Sequence, residues 1–150
     1  MYDFDDAVAR VSSAAHAARQ VGFEFTLTAR TECFLRGVAD LGEVIRRLQA
    51  FEAAGADVLM APGLPDIAAV EAVCDAVGKP VNFMAGMPGK SFNVESLASA
   101  GVRRISLATS LYRAAMTGLI KAAQEAKDLG EFNFVERSLT TPSLAGYMKG

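Results

Sequence analysis

Arg30 stands at the end of an apolar stretch, where a charged side chain needs a partner. The stretch Phe25–Gly37 has the sequence FTLTARTECFLRG, in which Thr26 and Thr28 share the parity of Arg30. Because alternate residues of a strand point to the same side, these three side chains define one polar face. A buried charge is costly unless it is paired, so Arg30 either pairs with Glu32 or binds an anionic ligand. We favour the ligand, because a guanidinium fork matches a carboxylate or a phosphonate.

The glycine-rich segment GMPGKS, residues Gly86–Ser91, resembles a phosphate-binding loop but has the wrong spacing. The motif GxxxxGK[ST] places a glycine five residues before Gly89, and that position is Met84. What remains is a glycine-rich loop that leads into a helix N-terminus, whose free backbone N–H groups can hold an anion, so Gly86, Gly89 and Ser91 are candidate substrate-binding residues. A tight turn built on the Pro-Gly pair explains the same residues equally well.

Asn82 lies between apolar neighbours in the segment PVNFMA. A buried amide must find hydrogen-bond partners, which are neighbouring strand side chains, water or a substrate oxygen. We therefore place Asn82 with Arg30 and the glycine-rich loop among the candidate substrate-binding residues.

Residues that could catalyse a reaction or hold a metal are not evident. The sequence has no pair of strand-end carboxylates for magnesium and no plausible Ser-His-Asp set, and Cys33 and Cys74 lack a nearby basic partner. The sequence predicts no catalytic residue and no metal ligand in this chain.

Four strands, each followed by a helix, must position these side chains. The hydrophobic periods and the glycine and proline positions predict strands at 23–29, 57–61, 80–85 and 102–108, and helices at about 5–18, 41–54, 66–77, 91–100 and 110–129. This alternation is typical of a parallel α/β sheet. Four β/α units form either a small doubly wound sheet or half of an eight-unit barrel, and periodicity does not decide between them.

Residues 132–150 show no clear period, and we expect a loose or partner-docked extension there. The formal net charge of -2 and the scattered basic residues argue against a nucleic-acid or membrane partner. Two cysteines without metal-ligand spacing, and an acidic start without an apolar segment, favour a cytoplasmic protein.

Three segments in this order carry a family resemblance. They are FTLTARTE, FEAAGADVLMAPGL and KPVNFMAGMPGKSFNVESLASAGVRRISLATSLYRAAMTGL. Together they resemble the isocitrate lyase and phosphoenolpyruvate mutase superfamily, and within it the bacterial phosphoenolpyruvate phosphonomutase-like and carboxyvinyl-carboxyphosphonate phosphorylmutase-like enzymes. The resemblance extends from about residue 3 to residue 132.

The resemblance implies a magnesium-dependent (β/α)8 TIM barrel that cleaves or forms C–C or P–C bonds in small 2-oxo or enol acids. The four strands resemble strands five to eight, so residues 1–131 correspond to the C-terminal half of the barrel, preceded by one helix. The family keeps its metal ligands in the other half, so Mg²⁺ is expected for the complete enzyme. Arg30 would grip the substrate anion and Asn82 would line the same pocket.

One position departs from the family pattern. Pro62 stands where the resemblance implies glutamate in the lyases and histidine in the mutases, which leaves the reaction open. We expect this chain on its own to be an incomplete and inactive part of an enzyme, and the enzyme to be a homo-oligomer. Three explanations of a half-barrel are open: a truncated enzyme, two copies that together close an eight-stranded barrel, or pairing with neighbouring subunits through the tail. We favour truncation. The alternative is a non-catalytic half-barrel assembly or binding module in which Arg30 and Glu32 form a structural ion pair.

Overall fold

The computed structural model describes residues 1–148, which divide into two compact units. The first unit is Met1–Ser110 and contains the sheet, and the second begins at Leu111. The described helices are α1 (Phe4–Ala18), α2 (Leu41–Ala53), α3 (Ile67–Ala76), α4 (Val94–Ser99), α5 (Ser110–Gln124) and α6 (Thr141–Gly146). The strands are β1 (Thr28–Arg30), β2 (Val58–Met60), β3 (Val81–Met84) and β4 (Arg104–Ser106).

The four strands form one parallel sheet in the order β1-β2-β3-β4, with a helix after each strand. This arrangement confirms the predicted α/β class with four parallel β/α units preceded by one helix. Both outer strands keep one edge without a partner among the described residues. An open edge is where a further strand can pair.

Helix beginnings follow the capping residues of the sequence. Asp40, Asp66 and Asn93 accept backbone N–H bonds at the starts of α2, α3 and α4, at donor–acceptor distances of 3.1, 2.8 and 2.8 Å. Asn93 is therefore the cap of α4, which begins at Val94, later than the predicted start near residue 91. Ser110, the first residue of α5, donates its hydroxyl to the carbonyl oxygen of Leu107 at 2.6 Å.

The first strand is shorter than predicted and begins at Thr28 instead of residue 23. Asp57, just before β2, accepts the backbone N–H of Leu27 at 2.8 Å and also pairs with Arg19 at 2.6 Å. The strand begins at the next residue, Thr28, and the preceding Phe23 and Phe25 side chains are exposed. The prediction of a strand from residue 23 was therefore wrong at its beginning.

The apolar core lies between one face of the sheet and the helices α2, α3 and α4. Its central residues are Leu48, Phe51, Leu59, Val70, Val73, Val81, Phe83 and Leu97, all buried. Leu59, Val81 and Phe83 alternate with Met60 and Asn82, so the sheet has an apolar outer face and a second, inner face.

The second unit is helical. After α5, residues Glu125–Leu129 form a π-helical turn and Asn133–Arg137 a 3-10 helix. Glu125 accepts the backbone N–H of Phe134 at 3.1 Å and pairs with Arg137 at 3.0 Å. The tail thus contains helical structure, which the absence of a hydrophobic period in its sequence did not predict. The expected domain boundary after residue 131 stays a prediction. No helix among residues 1–148 is both long enough and apolar enough to cross a membrane.

Candidate functional site

The carboxyl ends of the four strands form the side of a parallel sheet where ligands bind in α/β proteins. Arg30 is the last residue of β1 and lies at this end. Asn82 lies on β3, and the Gly86–Ser91 loop follows that strand. The parallel pairing therefore brings the predicted residues to the same sheet.

The Arg30 guanidinium pairs with Glu32, its Nε donating to Oε1 of the carboxylate. The two side chains are 39% and 32% exposed. The terminal nitrogens Nη1 and Nη2 make no hydrogen bond within the part of the chain that the structure describes. Arg30 is therefore ion-paired with Glu32, as one of the two interpretations of the sequence expected, and the binding of an anion by its two remaining nitrogens stays a prediction.

Asn82 is buried, with 2% of its surface exposed, and its amide bonds to two side chains of β4. Its Oδ1 accepts from Nη1 of Arg104 at 3.0 Å, and its Nδ2 donates to Oγ of Ser106 at 3.1 Å. Of the partners considered from the sequence, the structure supplies the neighbouring strand side chains.

Arg104 and Ser106 are polar residues that sequence reasoning missed. The register pairs Asn82 with Arg104 on β4 and with Met60 on β2, and Met60 in turn pairs with Arg30. Residues paired in a parallel sheet project to the same side. In the sequence, the alternation of Arg104 and Ser106 in the segment RRIS could have indicated a polar face of the strand. The pattern was missed because the residues around it are mainly apolar.

Hydrogen bonds within the Gly86–Ser91 loop join its first and last residues. The Gly86 N–H donates to Oγ of Ser91 at 3.0 Å, and that hydroxyl donates to the carbonyl oxygen of Met87 at 3.0 Å. Gly86 has a φ of +153°, and a Cβ there would lie 3.3 Å from the carbonyl oxygen of Leu107. Only glycine fits this position without displacement, because the backbone of the next loop is too close.

Lys90 of the same loop connects two strand ends. Its Nζ donates to the carbonyl oxygen of Gly63 at 3.2 Å, which links the loop after β3 to the loop after β2. Sequence reasoning named the glycines around Lys90 but not the lysine. The buried Pro62 precedes Gly63 at the end of β2.

A cavity of about 780 Å³ runs along the open edge of β1 rather than across the strand ends. It is bounded by α1 and by the backbone stretch 27–30, including Arg30. A groove whose wall is an unpaired strand edge suits a further β-strand better than a small ligand.

Metal-ligating side chains do not cluster in the part of the chain that the structure describes. Within residues 1–148, no three His, Cys, Asp or Glu side chains lie close enough to hold a metal ion. Burial raises the pKa of the half-buried Cys74 thiol to about 11, which keeps it protonated and unreactive near neutral pH.

Comparison with known proteins places this sheet in a family. The sequence profile of the phosphoenolpyruvate phosphomutase family matches residues 1–127. An oxaloacetate decarboxylase from Paraburkholderia xenovorans (strain LB400) is 33% identical over 124 residues, which are 83% of this chain and 40% of that protein. The chain thus spans less than half the length of this relative.

Solved structures show the same fold. A provisionally assigned lyase/mutase from Burkholderia cenocepacia J2315 superimposes with a TM-score of 0.94 at 40% identity, over 100% of this chain and 54% of that one. The fold of 2,3-dimethylmalate lyase, a PEP mutase/isocitrate lyase superfamily member, matches 88% of this chain and 47% of its own, with a TM-score of 0.77 and 24% identity. The chain corresponds to about half of each structure. On the match of its sequence over residues 1–127, the chain belongs to the phosphoenolpyruvate phosphomutase family.

Proposed function

We propose that this chain supplies the substrate-anion-binding part of a magnesium-dependent lyase or phosphonomutase. Its substrate is a small 2-oxo or enol acid, in which a C–C or P–C bond is cleaved or formed. The complete enzyme is a cytoplasmic homo-oligomer. The observation that carries the proposal is the Arg30 guanidinium, which ends β1 with two nitrogens still available to an anion.

The position of Arg30 favours a ligand over a purely structural pair. Its contact with Glu32 uses one guanidinium nitrogen and lies where both side chains remain partly exposed. Exposed ion pairs of this kind contribute only about 0–1 kcal/mol to stability. A substrate carboxylate or phosphonate, in contrast, can accept two parallel bonds from the outer edge of the guanidinium.

Asn82 and the Gly86–Ser91 loop complete the proposed pocket. The Asn82 amide has a second N–H on Nδ2 besides the one that Ser106 accepts. The loop, with Gly86, Gly89 and Ser91, forms the wall at the end of β3, where its backbone approaches the ligand. The self-contained bonds of Ser91 suit a rigid wall better than a direct hydroxyl contact.

Magnesium belongs to the complete enzyme in this proposal and not to the residues described here. Mg²⁺ binds oxygen ligands, with carboxylates foremost. The polar groups named above are Arg30 with its partner Glu32 after β1, Asn82 on β3, Lys90 of the loop and Arg104 at the start of β4, and the only carboxylate among them is already paired with Arg30. This set fits an anion and does not fit a divalent cation.

The known relative suggests which acid to test first. The similar protein from Paraburkholderia xenovorans is named oxaloacetate decarboxylase, and oxaloacetate is a 2-oxo acid with two carboxylates. Pro62 follows β2, at the position where the family resemblance implies glutamate in the lyases and histidine in the mutases, so turnover of oxaloacetate needs its own measurement.

The alternative is a non-catalytic binding or assembly module in which Arg30 and Glu32 form a structural ion pair. The observed contact between these two side chains is what favours it. In this case the pair would stabilise the turn into the 3-10 helix Cys33–Arg36 and would need no ligand.

Substitution of Arg30 separates the two functions. In the full-length gene product, we expect Arg30→Ala to weaken oxaloacetate and oxalate binding about 10- to 100-fold, since a bond to a charged group contributes roughly 1.5–3 kcal/mol. The unfolding free energy should change by less than about 1 kcal/mol. Calorimetric titration with magnesium chloride present, together with urea unfolding, measures both quantities.

Arg46→Ala is the matched control, because Arg46 is also an exposed arginine in an ion pair, with Glu43 at 2.8 Å, but lies on α2. It should leave oxalate binding unchanged. If Arg30→Ala unfolds the protein while binding by the remaining folded fraction persists, the structural ion pair is the correct function.

A further inference from the structure

Arg104 is a cation on the inner face of the sheet without a carboxylate partner. Within residues 1–148, none of the ion pairs includes it. Its Nη1 instead donates to Oδ1 of Asn82 at 3.0 Å. This hydrogen bond from a charged guanidinium to a neutral, buried amide does not neutralise the charge of Arg104, so it must have another role.

The contact is built into the register of the sheet. Asn82 on β3 pairs directly with Arg104 on β4, so both side chains leave the same face at the same level. The same row continues through Met60 to Arg30. Arg103, the preceding residue, has the opposite parity and belongs to the other side of the sheet.

The bond fixes which way the Asn82 amide is turned. An amide has an acceptor oxygen and a donor NH₂ group of nearly the same size, and the guanidinium carries donors only. The alternative orientation would set the NH₂ group against the Arg104 donors and lose the bond. Arg104 therefore holds Oδ1, and Nδ2 is turned towards Ser106, whose Oγ accepts at 3.1 Å.

The fixed amide has one donor left. Nδ2 carries two N–H groups, and Ser106 accepts one of them. The second has no hydrogen-bond partner in the described part of the chain. A free N–H next to a guanidinium favours a ligand atom that only accepts hydrogen bonds. Carboxylate and phosphonate oxygens are such atoms.

We propose that Arg104 is a positioning residue for anion binding, which holds the Asn82 amide with its NH₂ group available to an oxyanion of the substrate. The inference rests on the proposed function, because it assumes that the inner face binds an anionic acid. Arg104 acts through Asn82, whereas Arg30 meets the ligand directly.

A double-mutant cycle on the full-length gene product tests this role, with oxalate as the probe. We expect Arg104→Met to weaken oxalate binding about 10-fold in the unsubstituted protein and by less than about 2-fold in the Asn82→Ala background, because the coupling between the two sites is then absent. Arg104→Lys, which keeps a donor for Oδ1, should recover part of the affinity. Arg103→Met is the matched control and should bind oxalate normally.

A second readout reports the amide itself. The side-chain NH₂ signals of Asn82 are identified in a ¹⁵N–¹H spectrum by their loss in Asn82→Ala. They should move in Arg104→Met, return towards the original position in Arg104→Lys and stay in place in Arg103→Met. A purely structural effect of Arg104 on the sheet would not produce this pattern with the lysine variant.

The outcomes separate the two proposals. Equal losses from Arg104→Met in both backgrounds would mean that Arg104 contacts the anion itself and would overturn the positioning role. Normal binding in Arg104→Met, with losses in Arg30→Ala and Asn82→Ala, would overturn this inference alone. Normal binding in Arg30→Ala and Asn82→Ala would overturn the proposed function. If Arg104→Met does not fold, Arg104→Lys and Arg104→Gln carry the same comparison.

Discussion

Two arginine–carboxylate pairs lie at opposite ends of the first two strands, and the fold uses them differently. At the amino end, Arg19 holds Asp57 with both terminal nitrogens, at 2.6 and 3.2 Å, and also donates to the carbonyl oxygen of Gly55 at 3.3 Å. Asp57 further accepts the N–H of Leu27. At the carboxyl end, Arg30 holds Glu32 through Nε alone.

The two pairs differ in how many guanidinium nitrogens lack a hydrogen-bond partner among the described residues. The bonds of the Arg19–Asp57 pair all connect parts of the fold, namely the end of α1, the chain before β1 and the start of β2. The Arg30–Glu32 pair joins residues two positions apart and leaves the outer edge of the guanidinium open. An arginine–carboxylate pair can thus have its hydrogen bonds within the fold at one end of a sheet and leave guanidinium nitrogens unused at the other.

The largest change in the free energy of unfolding is expected from removing the Arg19–Asp57 pair. Asp57→Ala should lower the unfolding free energy by about 1–2 kcal/mol, because it removes bonds from Arg19 and from the Leu27 N–H. Oxalate binding should stay unchanged, and urea unfolding with calorimetric titration checks both. Asp75→Ala, at an exposed position of α3, is the control and should change stability by less than about 0.5 kcal/mol. Weaker oxalate binding in Asp57→Ala would contradict a purely structural role.

The same pair predicts a dependence of stability on pH. The Arg19 guanidinium, and after it the Leu27 N–H, hold the pKa of Asp57 below its ordinary value of 3.8. A carboxyl group with a lowered folded pKa stabilises the fold above its unfolded pKa and loses that contribution as the pH falls through the folded pKa. The unfolding free energy should therefore fall more steeply below about pH 4 in the unsubstituted protein than in Asp57→Asn. Parallel slopes in urea unfolding across this range would contradict the prediction.

The smallest effect on stability is expected at the open pair. Glu32→Gln should change the unfolding free energy by less than about 1 kcal/mol, as for other exposed ion pairs. It should strengthen oxalate binding about two- to fivefold, because the anion no longer competes with a carboxylate for Arg30. Titration calorimetry measures the affinity, and Glu24→Gln, an exposed glutamate before β1, is the control. Loss of stability without a gain in affinity would favour the structural ion pair.

Much of the fold could be predicted from the sequence because its signals are local. Helices α2, α3 and α4 begin beside Asp40, Asp66 and Asn93, whose side chains accept N–H bonds from the first turn. The strand lengths were less predictable. Phe23 and Phe25 favour a strand by type, yet the paired strand begins at Thr28 and both side chains are exposed.

The candidate site was predicted only in part. Arg30 and Asn82 were found because a charge and an amide are unusual in apolar strands, and Glu32 was named as the partner that the structure provides. Lys90 was missed because its contact with Gly63 joins two loops that are 27 residues apart. No local pattern contains such a contact.

The sequence by itself determined the order of helices and strands, the parallel class of the sheet and the presence of an arginine at the end of its first strand. These follow from hydrophobic periods and capping residues, which act within a few positions of the chain. Only the tertiary structure decided that Asn82 meets Arg104 and Ser106, which lie 22 and 24 residues away. Their meeting depends on the register between β3 and β4, and this register is set by the packing of the core against the outer face of the sheet.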